Sequence, residues 1–298
     1  MRTLSTDHSA EILINSVAIL GAGTMGHGIA QVAAAANFPV ILFEVNNEAL
    51  ARGVAAIERN LAKGIQLAKL TEGDRDNIRQ RIRGTVDLSE VAGADLIIEA
   101  VPEKLELKQD LLRQIEALTG SHAIFASNTS SLSIGDIAAV STRPQQVIGM
   151  HFFNPVHLMR LVEIVCGQQT APETVAAVEQ VARRMRKEPI IVRDVPGFAS
   201  SRLGVTLGLE AMRMVEQGVA SAKDIDTAME LGYNHPMGPL RLTDLVGLDV
   251  RLNIAEYLYS ALASETFRPP EILRRMVSEG KLGKKSGEGF YKWGEATS

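Results

Sequence analysis

Residues 16–44 restrict the fold more tightly than any other part of the chain. Ser16-Val17-Ala18-Ile19-Leu20 is a short apolar run that stops at Gly21. Such a run suits a strand covered on both faces in a parallel sheet. The turn Gly21-Ala22-Gly23-Thr24-Met25-Gly26 follows, then the alanine-rich segment Ile29 to Ala36, which is strong helix material. Pro39 to Phe43 is a second apolar run and ends at Glu44. Strand, glycine turn, helix, strand and acid, in that order, form a unit that holds a dinucleotide. Gly21 serves the tight turn, Gly23 the approach of backbone to pyrophosphate, and Gly26 the packing of helix on strand. Thr24 and Met25 lie within the same turn and count as cofactor-side residues. The helix N-terminus turns its N–H groups and positive dipole end toward the phosphates. Glu44, 23 residues after Gly21, stands where an acid meets the adenosine ribose hydroxyls. An acid there repels a 2′-phosphate, and Val45-Asn46-Asn47 brings no arginine to hold one, so NAD is expected rather than NADP.

Alternation of strand and helix continues. Leu96 to Val101 reads as a strand broken by Pro102, and Lys104 to Leu118 has helical spacing. Ala123 to Ala126 is a further strand, ending at Ser127-Asn128-Thr129-Ser130, and Val147 to Met150 is another, ending at His151. Polar residues therefore recur at the C-terminal ends of strands, where open α/β sheets bind ligands; Asn128 is placed on the cofactor side for that reason. Leu161 to Val165 alternates like a strand and carries Glu163. A histidine at a strand end takes a proton from an alcohol, and a carboxylate orients its ring and stabilises the imidazolium. With a nicotinamide to take the hydride, this set makes an alcohol/ketone dehydrogenase. Asn46 to Arg83 is long for a crossover. Its periodic Leu50, Val54, Ile57 and Leu61 predict a helical hairpin projecting from the sheet, with Lys63 and Lys69 able to meet a phosphorylated carrier.

The second half reads as helices. Pro189 to Val192 is a last strand, and Val195-Pro196-Gly197-Phe198 marks the boundary. Leu203, Leu207, Ala211, Met214 and Val215 line one amphipathic helix that ends near Gly218. Ser221 caps the next, and a long helix from about Leu240 to Ala263 is distorted near Gly247. The expected division is a flexible tail over 1–14, an NAD-binding domain over 15–195 and a helical substrate and dimerisation domain over 196–298. The class is α/β: a doubly wound Rossmann-type sheet followed by an all-helical unit. A helical unit this small needs a partner to cover its apolar faces, so a homodimer is expected.

Composition narrows the partners. The 298 residues carry a formal net charge of -4, which disfavours nucleic acid. One cysteine, Cys166, excludes an intrachain disulfide framework and fits a reducing cytoplasm. No apolar run approaches bilayer length, no targeting segment is evident, and no His/Cys/carboxylate spacing suggests a metal.

Several segments resemble one family. GAGTMGHGIA (Gly21 to Ala30), ASNTSSLSI (Ala126 to Ile134), HFFNPV (His151 to Val156), LVEIV (Leu161 to Val165), DVPGF (Asp194 to Phe198), GPLRLTDLVGLD (Gly238 to Asp249) and GKLGKKSGEGFYKW (Gly280 to Trp293) are similar to the L-3-hydroxyacyl-CoA dehydrogenases, most closely the bacterial short-chain members. The resemblance spans Ser16 to Trp293. It implies a Rossmann domain, a dimerising helical domain and an active site in the cleft between them. It implies His151 as general base for a 3-hydroxyl, Glu163 as its orienting partner and Ser130 as hydrogen-bond donor to the substrate oxygen. It implies Asn154 as a positioning residue for nicotinamide or substrate, and Glu103 and Lys108 as cofactor contacts. One departure stands out. The family reads PGF-x-x-Asn-Arg, whereas here Ser201 holds the position of the substrate-contacting asparagine. Serine keeps a donor and an acceptor but is shorter. Two other readings use the same motifs: a dehydrogenase of a non-CoA hydroxy acid such as a sugar acid, and an NAD-binding protein without catalysis.

Overall fold

The structure, a computed structural model, describes residues 12–294. The expected tail over 1–14 thus lies mostly outside the described residues. The chain divides into two compact units, one ending at Val195 and one beginning at Pro196.

The first unit is built on eight strands: β1 (Val17–Leu20), β2 (Val40–Phe43), β3 (Ile82–Thr85), β4 (Leu96–Glu99), β5 (Ile124–Ser127), β6 (Val147–Phe152), β7 (Leu161–Cys166) and β8 (Glu188–Arg193). Their order is β3-β2-β1-β4-β5-β6-β7-β8, so the first six follow the doubly wound sequence of a dinucleotide-binding sheet. Strands β1, β4, β5 and β6 are buried throughout, as their unbroken apolar runs demand. Helices α1 (Gly26–Ala35), α2 (Asn47–Gln66), α3 (Glu72–Gln80), α4 (Leu105–Leu118), α5 (Ile134–Ala138) and α6 (Pro172–Arg184) flank the sheet.

Every strand pair is parallel except β6 and β7. Their antiparallel register sets His151 directly opposite Glu163. Opposed residues of such a pair share one face of the sheet at close range.

The hairpin expected over Asn46–Arg83 differs in two respects. Its helices α2 and α3 do not stand clear of the sheet: Ile57, Leu61 and Ile78 are buried in the core cluster that includes α1. Close contact with the glycine turn is possible because position 53 is glycine; a Cβ there would sit 2.5 Å from the Ala22 carbonyl oxygen. The segment also ends in a strand, β3, rather than in helix.

The second unit is helical: α7 (Ser200–Glu216), α8 (Ala222–Gly232), α9 (Pro239–Val246), α10 (Leu248–Leu262) and α11 (Glu271–Ser278). Its core gathers Val205, Leu209, Met212, Leu240, Leu248, Leu258 and Leu273. Ser221 caps α8 by accepting from the Asp224 N–H. The distortion expected near Gly247 is a complete break between two helices, because Gly247 takes φ +103°, outside the helical region. Two buried carboxylates tie the C-terminal segment down. Asp244 accepts from the Phe290 and Tyr291 N–H groups and the Trp293 indole, and Asp226 accepts from the Leu240 and Arg241 N–H groups and the Tyr291 hydroxyl.

Candidate active site and cofactor cradle

The glycine turn has the geometry of a nucleotide cradle. Gly21 takes φ +97°, which favours glycine. A Cβ on Gly26 would lie 1.7 Å from the Gly21 carbonyl oxygen, so only glycine lets α1 start so close to β1. Nothing lies within 4 Å of the point where a Cβ on Gly23 would stand, which leaves the backbone open to approach. Thr24 is exposed and Met25 half-buried beside it. Glu44, at the end of β2, accepts from the Ala22 N–H at 2.9 Å and the Val45 N–H at 2.7 Å. It therefore fixes the turn while keeping further lone pairs for a ligand. An open backbone approach, a helix N-terminus and an acid at the end of β2 together fit the diphosphate and adenosine ribose of NAD.

At the same edge of the sheet, His151 Nδ1 and Glu163 Oε2 are 2.7 Å apart. Glu163 is fully buried and His151 is 8% exposed. The Phe153 ring lies 4.5 Å, centroid to centroid, from the imidazole and packs beside it. A carboxylate at Nδ1 holds the proton there and directs Nε2 to acid–base work. Asn128 anchors the next residue, its Oδ1 accepting from the Phe152 N–H at 2.9 Å. Asn154 follows on the exposed loop over 153–160.

Glu103 organises the loop after β5. It accepts from the Thr129 hydroxyl at 2.6 Å, the Ser130 N–H at 2.9 Å and the Ser131 N–H at 3.1 Å. Burial raises its pKa, but the Lys108 ammonium and the bonds from Thr129 and Ser130 outweigh that, and the net shift is downward. Glu103 is thus an anion at neutral pH. Ser130 is exposed and does not cap the helix that follows; Ser133 does, by accepting from the Asp136 N–H.

Lys108 corrects the expectation of a direct cofactor contact. Its side chain has no exposure, and its ammonium lies 2.7 Å from Glu99 and 3.2 Å from Glu103. It reaches the surface only through Glu103. Glu99 was not foreseen: it closes β4, is fully buried, and also accepts from the Ser127 hydroxyl at 2.6 Å and the Val101 N–H at 2.8 Å. Its signal was a carboxylate inside the apolar run Leu96 to Val101. Lys63 lies on the exposed side of α2 and lines a groove of about 270 Å³ with Thr24, His27, Asn60, Asn154 and His157. Ser201 lies in the second unit, half-buried in the first turn of α7. Among the described residues no cluster of His, Cys and carboxylates could hold a metal, and no helix is long and apolar enough to cross a membrane.

A doubly wound sheet with this cradle and a histidine–carboxylate pair at its ligand edge defines an NAD-dependent dehydrogenase, an oxidoreductase. Residues 16–195 match the 3-hydroxyacyl-CoA dehydrogenase NAD binding domain, and residues 197–293 match the C-terminal domain of the same family. The chain is 46% identical to a probable 3-hydroxybutyryl-CoA dehydrogenase of Deinococcus radiodurans, over 92% of this chain and 99% of that one. It is 39% identical to human mitochondrial hydroxyacyl-coenzyme A dehydrogenase, over 98% and 97%. The crystal structure of (S)-3-hydroxybutyryl-CoA dehydrogenase from Ralstonia eutropha superposes with a TM-score of 0.92 at 42% identity, covering 95% of this chain and all of that one. The chain belongs to the 3-hydroxyacyl-CoA dehydrogenase family, and its cofactor is NAD.

Proposed function

We propose that the protein interconverts short-chain L-3-hydroxyacyl-CoA and 3-ketoacyl-CoA, with 3-hydroxybutyryl-CoA and acetoacetyl-CoA as the reference pair. The observation that carries this reading is the buried His151–Glu163 pair, held in register by β6 and β7. Bound NAD supplies the hydride acceptor. His151 takes the proton of the 3-hydroxyl at Nε2 in the oxidative direction and returns it in the reductive one. Glu163 keeps the ring in the tautomer this needs and stabilises the imidazolium. Acid–base assistance of this kind is worth about 10²–10⁴-fold. Ser130 donates to the substrate oxygen and so stabilises negative charge developing there during reduction. Glu103 fixes the Ser130 backbone, and Lys108 keeps Glu103 charged.

Asn154 positions nicotinamide or substrate from the loop after β6. Glu44 accepts the ribose hydroxyls of the adenosine. Lys63 meets a phosphate of the carrier. Ser201 takes the place of the family's asparagine and contacts the substrate directly or through one water. The protein acts as a homodimer through its helical unit, which exposes Leu203, Leu231, Tyr233, Leu242 and Val246. It works in the cytoplasm.

The test is NADH consumption with acetoacetyl-CoA, run beside NADPH, and in parallel the reduction of NAD by a free sugar acid. Turnover with NADH and acetoacetyl-CoA is expected. Turnover of the sugar acid alone would overturn the assignment, and silence with every substrate would favour an NAD-binding protein without catalysis.

A further inference from the structure

Lys187 is a buried lysine of the first unit with no part in the proton and hydride steps. It is 7% exposed, and among the described residues no carboxylate acts to hold its charge; burial alone pulls the amine down to about 8. A lysine buried without a counter-charge is unfavourable unless its N–H groups are taken up. Here Nζ donates to the Val156 carbonyl oxygen and, at 2.8 Å, to that of Met159. The ammonium and the neutral amine both have a hydrogen for each oxygen, so this clamp holds on either side of the pKa.

The chain around Lys187 is shaped for that contact. After α6, Arg186 takes φ +57°, its N–H donates to the Arg183 oxygen, and the Lys187 N–H donates to the Ala182 oxygen. Helices commonly end in this reversal, with glycine at the left-handed position. Arginine holds it here and accepts the strain of left-handed backbone. The reversal feeds β8 beside β7, where Glu188 pairs with Leu161 and its N–H donates to the Arg160 oxygen at 2.8 Å. Lys187 and Glu188 thus hold the loop over 153–160 at three carbonyl oxygens. Inside the loop, the Leu158 and Met159 N–H groups both donate to the Pro155 oxygen. On its other side the loop meets the dinucleotide helix: a Cβ on Gly28 of α1 would lie 2.8 Å from Val156 Cβ. Val156 therefore has its side chain against α1 and its carbonyl on Lys187. Asn154 stands two residues earlier, and the loop walls the groove that Thr24, His27 and Lys63 also line.

We propose that Lys187 is a positioning residue for the reaction. By holding the Val156 and Met159 carbonyls it sets the loop that carries Asn154, and through Asn154 the seat of nicotinamide or substrate. This rests on the proposed function, in which Asn154 has that role. A shift of roughly 1 Å in a positioning group, made away from the chemistry, costs up to about 10²-fold in rate.

The experiment measures kcat and KM for acetoacetyl-CoA reduction by NADH in the wild type, Asn154→Ala, Lys187→Met and the double variant, each at a temperature where circular dichroism shows it folded. Lys187→Met is expected to lose about 10- to 100-fold in kcat/KM. The double variant should be no slower than Asn154→Ala, because residues acting through one contact do not add. Lys187→Arg keeps donors for both oxygens and should recover part of the rate. Should Lys187→Met not fold, Lys187→Gln, which keeps an amide donor, enters the same cycle. Wild-type kinetics in a folded Lys187→Met overturn the proposal. Losses that multiply in the double variant also overturn it, because Lys187 would then act on the fold and not through Asn154. Full activity in Asn154→Ala overturns it while leaving His151 and Glu163 their roles, whereas a wild type silent with every thioester removes the proposed function as well.

Discussion

Glu163→Gln probes the assigned chemistry with the smallest change of shape. The wild-type contact is 2.7 Å long and fully buried on the carboxylate side. While the imidazole is neutral, glutamine can replace the carboxylate by accepting from Nδ1–H. Once the ring gains a proton, the wild type has a charge-assisted bond and the variant a dipolar one. A hydrogen bond to a charged group contributes about 1.5–3 kcal/mol. At about 1.4 kcal/mol per factor of ten, the variant should lose about 10- to 150-fold in kcat. Burial of the pair argues for the upper part of that range, because little water screens it. Glutamine can also turn its amide to donate to Nδ1, which would place the ring proton on Nε2 and block it as a base. The NAD cradle lies on β1, α1 and β2, separated from β6 in the sheet by β4 and β5, so NADH affinity should not change. The assay is NADH absorbance at saturating acetoacetyl-CoA, paired with a fluorescence titration of NADH binding. Wild-type turnover in Glu163→Gln, or equal fractional losses of turnover and NADH affinity, would refute the argument.

Three further predictions concern polar groups that stabilise the fold. Lys108→Met leaves Glu99 buried without its cation and should cost about 3–5 kcal/mol, read as a lower midpoint in denaturant; the double variant with Glu99→Gln should recover part of that loss. Lys187 donates to the Val156 and Met159 carbonyl oxygens, and burial lowers its pKa to about 8 from 10.5. Between those values the unfolded chain binds more protons, so this group adds stability as pH rises from about 8 to 10.5, and the advantage of wild type over Lys187→Met in thermal unfolding should grow across that window. Tyr291→Phe removes the 2.7 Å bond to Asp226 and should destabilise the helical unit by about 1.5–3 kcal/mol, whereas an unchanged unfolding midpoint would show that water replaces the hydroxyl.

The fold was legible where residues had one role. Buried parallel strands need unbroken apolar runs, and β1, β4 and β5 supply them. Strand β3 carries no such run because it lies at the sheet edge, where its Arg83 and Gly84 are exposed. Gly247 marks a distortion in the sequence, but the apolar periodicity survives it, and only the φ of Gly247 turns that distortion into a full break between α9 and α10. The motif around Lys108 points to the cofactor, whereas its burial beneath Glu103 depends on Glu99, nine residues earlier on β4. No local pattern reports a buried ion pair between a strand end and the following helix.

The pairing of His151 with Glu163 depends on the one inversion in the sheet. Had β7 run parallel to β6, its C-terminal end would reach the ligand edge, and Glu163, the third residue of the strand, would sit toward the opposite edge. Run antiparallel, the start of β7 lies at the ligand edge, and Glu163 arrives beside the histidine near the end of β6. The connection tells the same story. Residues 153–160 join the strands, and a parallel crossover needs roughly a dozen residues or more, usually including a helix. The connection over 153–160, eight residues, is therefore too short for a crossover and long enough for an antiparallel return. A spacing that looks like a sequence signature is the length of chain needed to turn a strand around and set a carboxylate against a base.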